Sequence, residues 1–233
     1  MSKPVCAVVG VGPGNGAAFA RKFSDEGYRV ALMARSSITT GDLAEELPDA
    51  RAYECDVTDP AHIEGAFGAA AEELGPIDTV IYNAGSGVFG NFLENSPEDF
   101  ESAWRINAMG LFIAARKVAP PMIDAGRGNI IVTGATASLR GGARFAAFAS
   151  AKAAQRNLAE SMARELGPKG IHVALLVVDG VVDTPRSRSM MKDASDDAFM
   201  QPSHIAAAAW SLVQQPRSAW TFLMELRPFG EKW

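Results

Sequence analysis

Residues 5–20 read VCAVVGVGPGNGAAFA, an apolar strand-like run that passes through closely spaced glycines into a helical pattern. Gly10, Gly14 and Gly16 have the spacing G-x-x-x-G-x-G. Glycines at these positions let the chain turn sharply and let backbone N–H groups approach a pyrophosphate at a helix N-terminus. The stretch therefore predicts a dinucleotide-binding loop that includes Asn15, with a tight structural turn as the alternative.

Short apolar runs alternate with longer helical patterns along the rest of the chain. Continuous apolar runs such as NIIVTG and HVALLVV are typical of strands buried on both faces of a sheet. Repeated strand–helix–strand units predict a parallel sheet with right-handed crossovers. We therefore expect one α/β domain over residues 1–233, a Rossmann-like doubly wound sheet of about seven parallel strands flanked by helices. The predicted strands are Val5–Gly10, Tyr28–Ala34, Ala50–Cys55, Ile77–Tyr82, Gly128–Thr133, Ile171–Val178 and Trp220–Leu226, and the predicted helices are 14–26, 41–47, 60–74, 97–125, 144–167 and 203–214.

Residues 179–201 form the least patterned stretch, and the sequence predicts a long loop after a strand. A loop of that length in a compact domain is usually a functional lid or a disordered segment. Its methionines and Phe199 suggest an adaptable apolar cover, which favours an apolar small-molecule substrate. A loop that buries its own side chains is the alternative.

Composition and charge set the broad class. The formal net charge is −5 and no long basic run occurs, which argues against nucleic acid as a partner. No apolar run approaches the ~18 residues needed to cross a membrane, and the N-terminal run is too short for a secretory signal. We therefore expect a soluble, cytoplasmic protein. Cys6 and Cys55 are expected to be buried thiols, and no cluster of potential ligands has metal-binding spacing.

The end of the second predicted strand reads ALMARSS and bears on the choice of nucleotide. An acidic residue there would accept the ribose 2′-hydroxyl of NAD, whereas an arginine suits the 2′-phosphate of NADP. Arg35 lies 21 residues after Gly14, and no Asp or Glu is nearby. Ser36 adds a hydroxyl. The sequence therefore favours NADP(H), with NAD(H) as the alternative.

The chain resembles the short-chain dehydrogenase/reductase family over essentially its whole length. Asn107 of WRINAMG matches the family asparagine that supports a proton-relay water, and Lys152 matches the lysine of Tyr-x-x-x-Lys. Asp179 of DGVVDT stands where the family has proline. By this resemblance, the further cofactor-binding residues are Asp56 and Val57 of CDVTD at the adenine, Asn83, Ala84 and Gly85 of NAG, and Thr184 at the nicotinamide carboxamide.

Two positions depart from the family pattern. Phe148 stands where the resemblance places the catalytic tyrosine, and Ala135 stands where it places the substrate-binding serine. A phenyl ring cannot donate a proton, and loss of a general acid typically costs ~10²–10⁴-fold in rate. Both groups that would hold and protonate a carbonyl oxygen are therefore missing together.

Other polar side chains are candidates to replace them. Thr136 is the first candidate because it directly follows Ala135, and Ser138 and Ser86 are further hydroxyls near the expected pocket. The retained Lys152 is expected to bind the hydroxyls of the nicotinamide ribose, a role that does not need the tyrosine.

Two functions follow from this pattern. The first is an NADP(H)-dependent oxidoreductase of unknown substrate with a site that lacks tyrosine. The second is a catalytically inactive NADP(H)-binding protein that acts as a sensor or scaffold, because fold alone does not fix function. The resemblance also implies a homodimer or homotetramer formed through helices 97–125 and 144–167. The C-terminal aromatic tail, which ends at Trp233, is a second candidate subunit contact.

Overall fold

A computed structural model of the chain describes residues 3–231. Its centre is a seven-stranded parallel sheet with the strand order β3-β2-β1-β4-β5-β6-β9. A separate pair, β7 and β8, is also parallel. The predicted doubly wound α/β sheet is therefore confirmed. The strands are β1 Val5–Val9, β2 Arg29–Ala34, β3 Ala50–Glu54, β4 Ile77–Tyr82, β5 Gly128–Ala135, β6 Ile171–Val178, β7 Val181–Val182, β8 Phe199–Met200 and β9 Leu223–Leu226.

Helices cover both faces of the sheet. Alternate residues of β1 pack to opposite sides: Val5, Ala7 and Val9 join one core, while Cys6 and Val8 join the other. Helices α3, α5 and α6 close the first core, and α1, α2 and α8 close the second. The α-helices are α1 Asn15–Asp25, α2 Ser37–Glu46, α3 Pro60–Leu74, α4 Pro97–Trp104, α5 Gly110–Ala125, α6 Ala146–Leu166, α7 Pro185–Met190 and α8 Pro202–Val213.

Local sequence signals set several helix starts. Asp59 caps α3 by accepting a hydrogen bond from the N–H of Ala61, and proline occupies the first helical position. Ser36 caps α2, so this helix begins at Ser37 and not at the predicted residue 41. The side-chain oxygen of a capping serine satisfies a donor that has no partner within the helix.

The predicted helix 97–125 is one continuous rod with a change of geometry in the middle. Residues Arg105–Met109 form a π-helical turn between α4 and α5. Two carbonyls of this turn accept side-chain hydrogen bonds: Ile106 from the hydroxyl of Tyr82 at 2.6 Å, and Asn107 from Nε2 of Gln155 at 3.0 Å. Single π-helical turns are frequent at functional sites, and this one contains Asn107.

The loop predicted for 179–201 is wrong in detail. The segment contains β7, α7, a short 3₁₀ turn at Asp196–Ala198, and β8. Thr184 caps α7 by accepting from the N–H of Ser187, and Arg188 pairs with Asp183 at 2.7 Å. The polar residues that obscured the sequence pattern are therefore the caps and ion pairs that order the segment.

The end of β5 and the start of β9 also differ from the prediction. Strand β5 continues to Ala135, two residues beyond the predicted end, because it stays in register with β6 as far as Val178. Strand β9 begins at Leu223, not at Trp220, whose ring stacks on His172 at 4.9 Å between centroids. The last two residues of the predicted aromatic tail, including Trp233, lie outside the described residues. Across residues 3–231, no helix combines the length and apolar character that crossing a bilayer demands.

Helix α5 packs so closely at Gly110 that a side chain has no room there. An added Cβ would lie 2.7 Å from the carbonyl oxygen of Val57 and would overlap the hydroxyl of Tyr82. We expect Gly110→Ala to lower the free energy of unfolding by about 1–3 kcal/mol, as overpacking does. The exposed Gly65 of α3 meets nothing within 4 Å, so Gly65→Ala should raise it by about 0.5–1 kcal/mol. Urea denaturation of both variants measures the contrast, and equal effects would contradict the packing.

Candidate active site

A cleft of about 550 Å³ opens at the carboxyl ends of β1, β2, β3 and β4. Strands β2 and β3 lie on one side of β1, and β4 lies on its other side. The cleft therefore lies where the strand order reverses. Ligands of open α/β sheets bind at this position. The cleft is lined by Gly10, Val11, Gly12, Ala34, Arg35, Ser36, Thr39, Cys55, Asp56, Val57, Asn83, Ala84, Gly85, Ser86, Gly87, Ile106 and Arg186.

The glycine loop forms the floor of the cleft. Gly10 has φ +89°, and a Cβ there would lie 2.5 Å from the backbone nitrogen of Ala84. The side chain of Asn83 donates to the carbonyl of Gly10 at 2.8 Å, which fixes the two strand ends together. A Cβ on Gly16 would lie 2.7 Å from the same carbonyl. Only glycine fits either position, so the main chain stays open to a ligand.

The N-terminus of α1 directly follows the glycine loop. Asn15 is the first residue of the helix, and its side-chain Oδ1 is buried without a hydrogen-bond partner among the described residues. Gly14 faces Thr184, whose Cγ2 would lie 2.8 Å from a Cβ added to the glycine. The structure therefore brings the predicted nicotinamide-side residue Thr184 against the glycine loop.

Charged and polar groups gather at the far end of the cleft. Arg35 and Ser36 are exposed at the end of β2, and Asp56 and Val57 follow β3. Hydrogen bonds from Thr58, with a smaller contribution from Arg35, lower the pKa of Asp56 below its usual range. Asp56 is therefore ionised and already satisfied by the turn, and Arg35 is the cation that faces the cleft from β2.

A second arginine was missed by the sequence analysis. Arg186 of α7 lines the cleft together with Arg35. It stands in TPRSRS, within the stretch taken as a loop, so no helical pattern pointed to it. Two cations at one cleft suit a ligand with more than one phosphate.

Lys152 is buried and makes two hydrogen bonds through its amine. Nζ donates to the carbonyl of Thr133 at 2.9 Å and to Oε1 of Gln155 at 2.9 Å. It also lies 3.5 Å from the position of a Cβ on Gly85, so it reaches the wall of the cleft. Burial lowers the pKa of Lys152 to about 7.

Asn107 is fully buried beside this lysine. Its side-chain nitrogen donates to the carbonyl of Ala103 at 2.9 Å, while its Oδ1 has no partner among the described residues. That oxygen would lie 3.3 Å from a Cβ on Gly85. The structure thus brings Asn107, Lys152 and Gly85 together. Gln155, which joins Lys152 to the carbonyl of Asn107, was not singled out by the sequence.

Phe148 belongs to a cluster of three phenylalanines. Its ring lies 5.0 Å from that of Phe89, and Phe89 lies 5.2 Å from Phe145, both edge-on. Phe89 and Phe145 are substantially exposed, and Phe89 closely overlies Gly87 at the cleft. The position at which a hydroxyl was expected is therefore part of an apolar, aromatic wall.

The hydroxyls around Ala135 have defined partners. Thr136 donates to Oδ1 of Asp179 in a short hydrogen bond, and Ser138 donates to the carbonyl of Ala135 at 2.7 Å. Ser86 accepts only a long hydrogen bond from Asn107 at 3.5 Å. Among these hydroxyls, that of Thr136 alone is paired with a carboxylate.

The three histidines lie apart from this region. His172 contacts the carbonyl of Thr221 through Nε2 at 2.9 Å, and burial lowers its pKa. His62 is exposed on α3 and His204 is exposed on α8. Within residues 3–231, no group of three or more His, Cys, Asp or Glu side chains is arranged to hold a metal ion.

Comparison with known proteins identifies the family. The sequence profile of the short chain dehydrogenase family matches residues 4–195. The chain therefore belongs to the short-chain dehydrogenase/reductase family, a family of oxidoreductases, and the resemblance stated from its motifs is confirmed.

Solved structures and curated relatives span the range of the family. A short-chain dehydrogenase from Rhodopseudomonas palustris shares 38% identity with a TM-score of 0.84, over 97% of this chain and 99% of that one. A metagenomic short-chain oxidoreductase in complex with NADP shares 27% identity with a TM-score of 0.86, over 99% of each chain. The inactive 2-(S)-hydroxypropyl-CoM dehydrogenase 2 of Xanthobacter autotrophicus is 31% identical, over 73% of this chain and 74% of its own. Further curated relatives carry the names of dehydrogenases.

The buried amine of Lys152 makes the stability of the fold depend on pH. The pKa is about 7 in the folded chain and about 10.4 for an unperturbed lysine. The unfolded chain binds more protons between these values, so the free energy of unfolding rises with pH across this window. We expect Lys152→Met to remove that rise. The free energy of unfolding of the variant, relative to that of the native chain, should therefore be greatest below pH 7.

Urea denaturation at about pH 6.5 and about pH 9.5 measures this dependence. The exposed Lys117 of α5 provides the control, because Lys117→Met should change stability equally at both values. A Lys152→Met variant with the native pH dependence would show that the amine is not buried in solution.

Proposed function

We propose that the chain is an NADP(H)-dependent oxidoreductase that acts on a small apolar molecule through a site without tyrosine. The observation that carries the proposal is the cleft at the strand-order reversal, where Gly10 and Gly16 leave room only for main chain. Arg35 and Arg186, which both line the cleft, give a dinucleotide ionic contacts there. The residues that line the cleft therefore fit a bound NADP(H).

The choice of NADP(H) over NAD(H) rests on the end of β2. Arg35 is exposed at the cleft, and no carboxylate follows it to accept a ribose 2′-hydroxyl. The related oxidoreductase with NADP bound is consistent with this choice. In this arrangement, Arg35 and Ser36 hold the 2′-phosphate, Asp56 and Val57 border the adenine, and Asn83, Ala84 and Gly85 line the central cleft. Lys152 and Thr184 border the nicotinamide end.

The proposed reaction is hydride transfer. NADP(H), when bound, supplies or takes up the hydride. The chain's own residues orient the substrate and exclude water, and Phe89, Phe145 and Phe148 provide an apolar wall. Proximity and orientation can supply ~7–11 kcal/mol of rate enhancement without a tyrosine. Asn107 and Lys152 hold the wall of the cleft behind Gly85.

The alternative is an inactive NADP(H)-binding sensor or scaffold. It is favoured by the paired loss of both hydroxyls at Ala135 and Phe148, while the glycine loop and Lys152 are retained. The relative named as inactive is consistent with loss of chemistry within this family. Turnover separates the two functions.

Exposed aromatic side chains on two helices support an assembly of several subunits. Phe100, Trp104 and Phe112 are substantially exposed on α4 and α5, the helices that the resemblance assigns to subunit contacts. An interface of this kind would cover them and form the homodimer or homotetramer. A cytoplasmic location stays a prediction from the sequence.

Replacement of Arg35 tests the nucleotide preference. We expect Arg35→Ala to weaken NADPH binding by about 10- to 100-fold, because a hydrogen bond to a charged group contributes about 1.5–3 kcal/mol. NADH affinity should change little, since NADH has no 2′-phosphate. Titration calorimetry with both nucleotides measures the ratio, with Arg51→Ala on β3 as an exposed control. Equal losses for both nucleotides would contradict the assignment.

Consumption of NADPH across carbonyls, imines and enones tests the enzymatic function. We expect turnover by the native chain and a change of rate in Phe148→Tyr, because the added hydroxyl enters the aromatic wall. Newly created ketone reduction would indicate a disabled form of the family's usual site. A loss of existing activity would place the phenyl ring in the native site. NADPH binding without turnover in either protein would favour the sensor.

A further inference from the structure

Three positions near the ends of β5 and β6 and in α6 depart from the family pattern. Ala135 and Phe148 remove hydroxyls, and Asp179 adds a carboxylate where the resemblance expects proline. The structure places that carboxylate against the hydroxyl of Thr136, the residue next to Ala135. The carboxylate that was gained is therefore hydrogen-bonded to the residue next to one of the two positions that lack a hydroxyl.

Adjacent strand ends build this arrangement. Thr136 follows β5, Asp179 follows β6 and Arg227 follows β9, and these three strands are neighbours in the sheet. The backbone N–H of Asp179 donates to the carbonyl of Leu226 at 2.7 Å, which fixes the turn after β6. All three residues thus follow strands at the carboxyl edge of the sheet, the edge at which the cleft opens.

The two carboxylate oxygens of Asp179 have different partners. Oδ1 accepts the short hydrogen bond from Thr136, and Oδ2 lies 3.5 Å from the guanidinium of Arg227. Arg227 also pairs with Glu225. Asp179 is buried, whereas Thr136 is half-buried. The carboxylate is therefore held by an ion pair at one oxygen and by the threonine hydroxyl at the other.

We propose that Thr136 and Asp179 form the proton-transfer pair of this site, with Thr136 contacting the substrate oxygen and Asp179 exchanging its proton. This inference rests on the proposed oxidoreductase function. The hydroxyl of Thr136 donates to Asp179, so its lone pairs are free to accept a hydrogen bond from a substrate alcohol. Phe148 packs with Phe89 and Phe145 and offers the substrate no hydroxyl.

The step balances in both directions. In oxidation, the alcohol O–H bond breaks and its proton passes to Oγ1 of Thr136, while the threonine's own proton passes to Oδ1 of Asp179. The substrate C–H bond breaks, its electron pair leaves with the hydride to NADP⁺, and a C=O bond forms. Asp179 ends as a neutral carboxylic acid. In reduction, the same acid returns the proton through Thr136 to the oxygen that receives the hydride's electrons.

Isosteric substitutions separate proton transfer from folding and cofactor binding. We expect Asp179→Asn and Thr136→Val to lower kcat by about 10²–10⁴-fold, the usual contribution of a positioned acid–base group. KM and the NADPH dissociation constant should stay within about threefold of native values. Thr136→Ser retains the hydroxyl and should restore most of the rate. Asp78→Asn, at the opposite end of the sheet on β4, is the control.

A double variant that restores the family's hydroxyls tests the proton-transfer role of Asp179 more sharply. In the double variant Ala135→Ser, Phe148→Tyr, the family's own hydroxyls are available, so added Asp179→Asn should cost much less than in the native chain. Carbon-13 NMR of the aspartate carboxyls, with the Asp179 signal assigned from Asp179→Asn, gives a readout without activity. We expect that signal to move in Thr136→Val and to stay close to its native position in Thr136→Ser.

The outcomes distinguish the two proposals. Native turnover that survives Asp179→Asn or Thr136→Val, with NADPH binding intact, overturns the proton-transfer pair alone. An Asp179 carboxyl signal that does not move in Thr136→Val also overturns the proton-transfer pair, because the hydrogen bond would then be absent in solution. NADPH binding without turnover of any substrate by the native chain overturns both the pair and the proposed oxidoreductase.

Discussion

The close approach of two strand ends is the constraint on which the rest of the site depends. Gly10 at the end of β1 and Asn83–Ala84 at the end of β4 touch through main-chain atoms, with no space for a Cβ between them. Asn83 then closes the junction by donating to the Gly10 carbonyl. Because these strands lie on either side of the strand-order reversal, their contact fixes the floor of the cleft. Gly10, Asn83 and Ala84 all line this cleft.

A second level of organisation lies behind the cleft wall. Lys152, Gln155 and the π-helical turn at Asn107 form one buried hydrogen-bonded chain that links α6 to the middle of the α4–α5 rod. Buried polar groups are costly unless they are paired, so this chain fixes the relative position of the two helices. The exception is Oδ1 of Asn107, which has no hydrogen-bond partner within residues 3–231 and lies near Gly85 at the cleft.

The sequence predicted most of the fold because its signals are local. Continuous apolar runs marked the sheet strands, and glycine spacing marked the loop between β1 and α1. Helix ends were less well predicted where capping decided them, as at Ser36. The π-helical turn was missed because it depends on hydrogen bonds from Tyr82 and Gln155, which are distant in sequence. Residues 179–201 were misread because caps and ion pairs, not apolar periodicity, order that segment.

The same distinction holds for the site. The glycine loop, Arg35, Asn107 and Lys152 could be found from spacing and resemblance, because each sits in a recognisable motif. Arg186 could not, since its place on the cleft follows from the fold of the segment around α7. The contact between Thr136 and Asp179 joins residues 43 positions apart. The sequence identified Asp179 as a departure from the family pattern, but only the alignment of β5 with β6 shows which side chain it faces.

A crystal structure of the protein with NADPH tests this account most directly. We predict that the nucleotide occupies the cleft with its pyrophosphate at the glycine loop, its 2′-phosphate at Arg35, and the nicotinamide ring between Lys152 and Thr136. The C4 atom of the ring should face a space bounded by Thr136 and Phe148 that can hold a substrate. An empty cleft at saturating NADPH, or a nicotinamide ring turned away from Thr136, would contradict it.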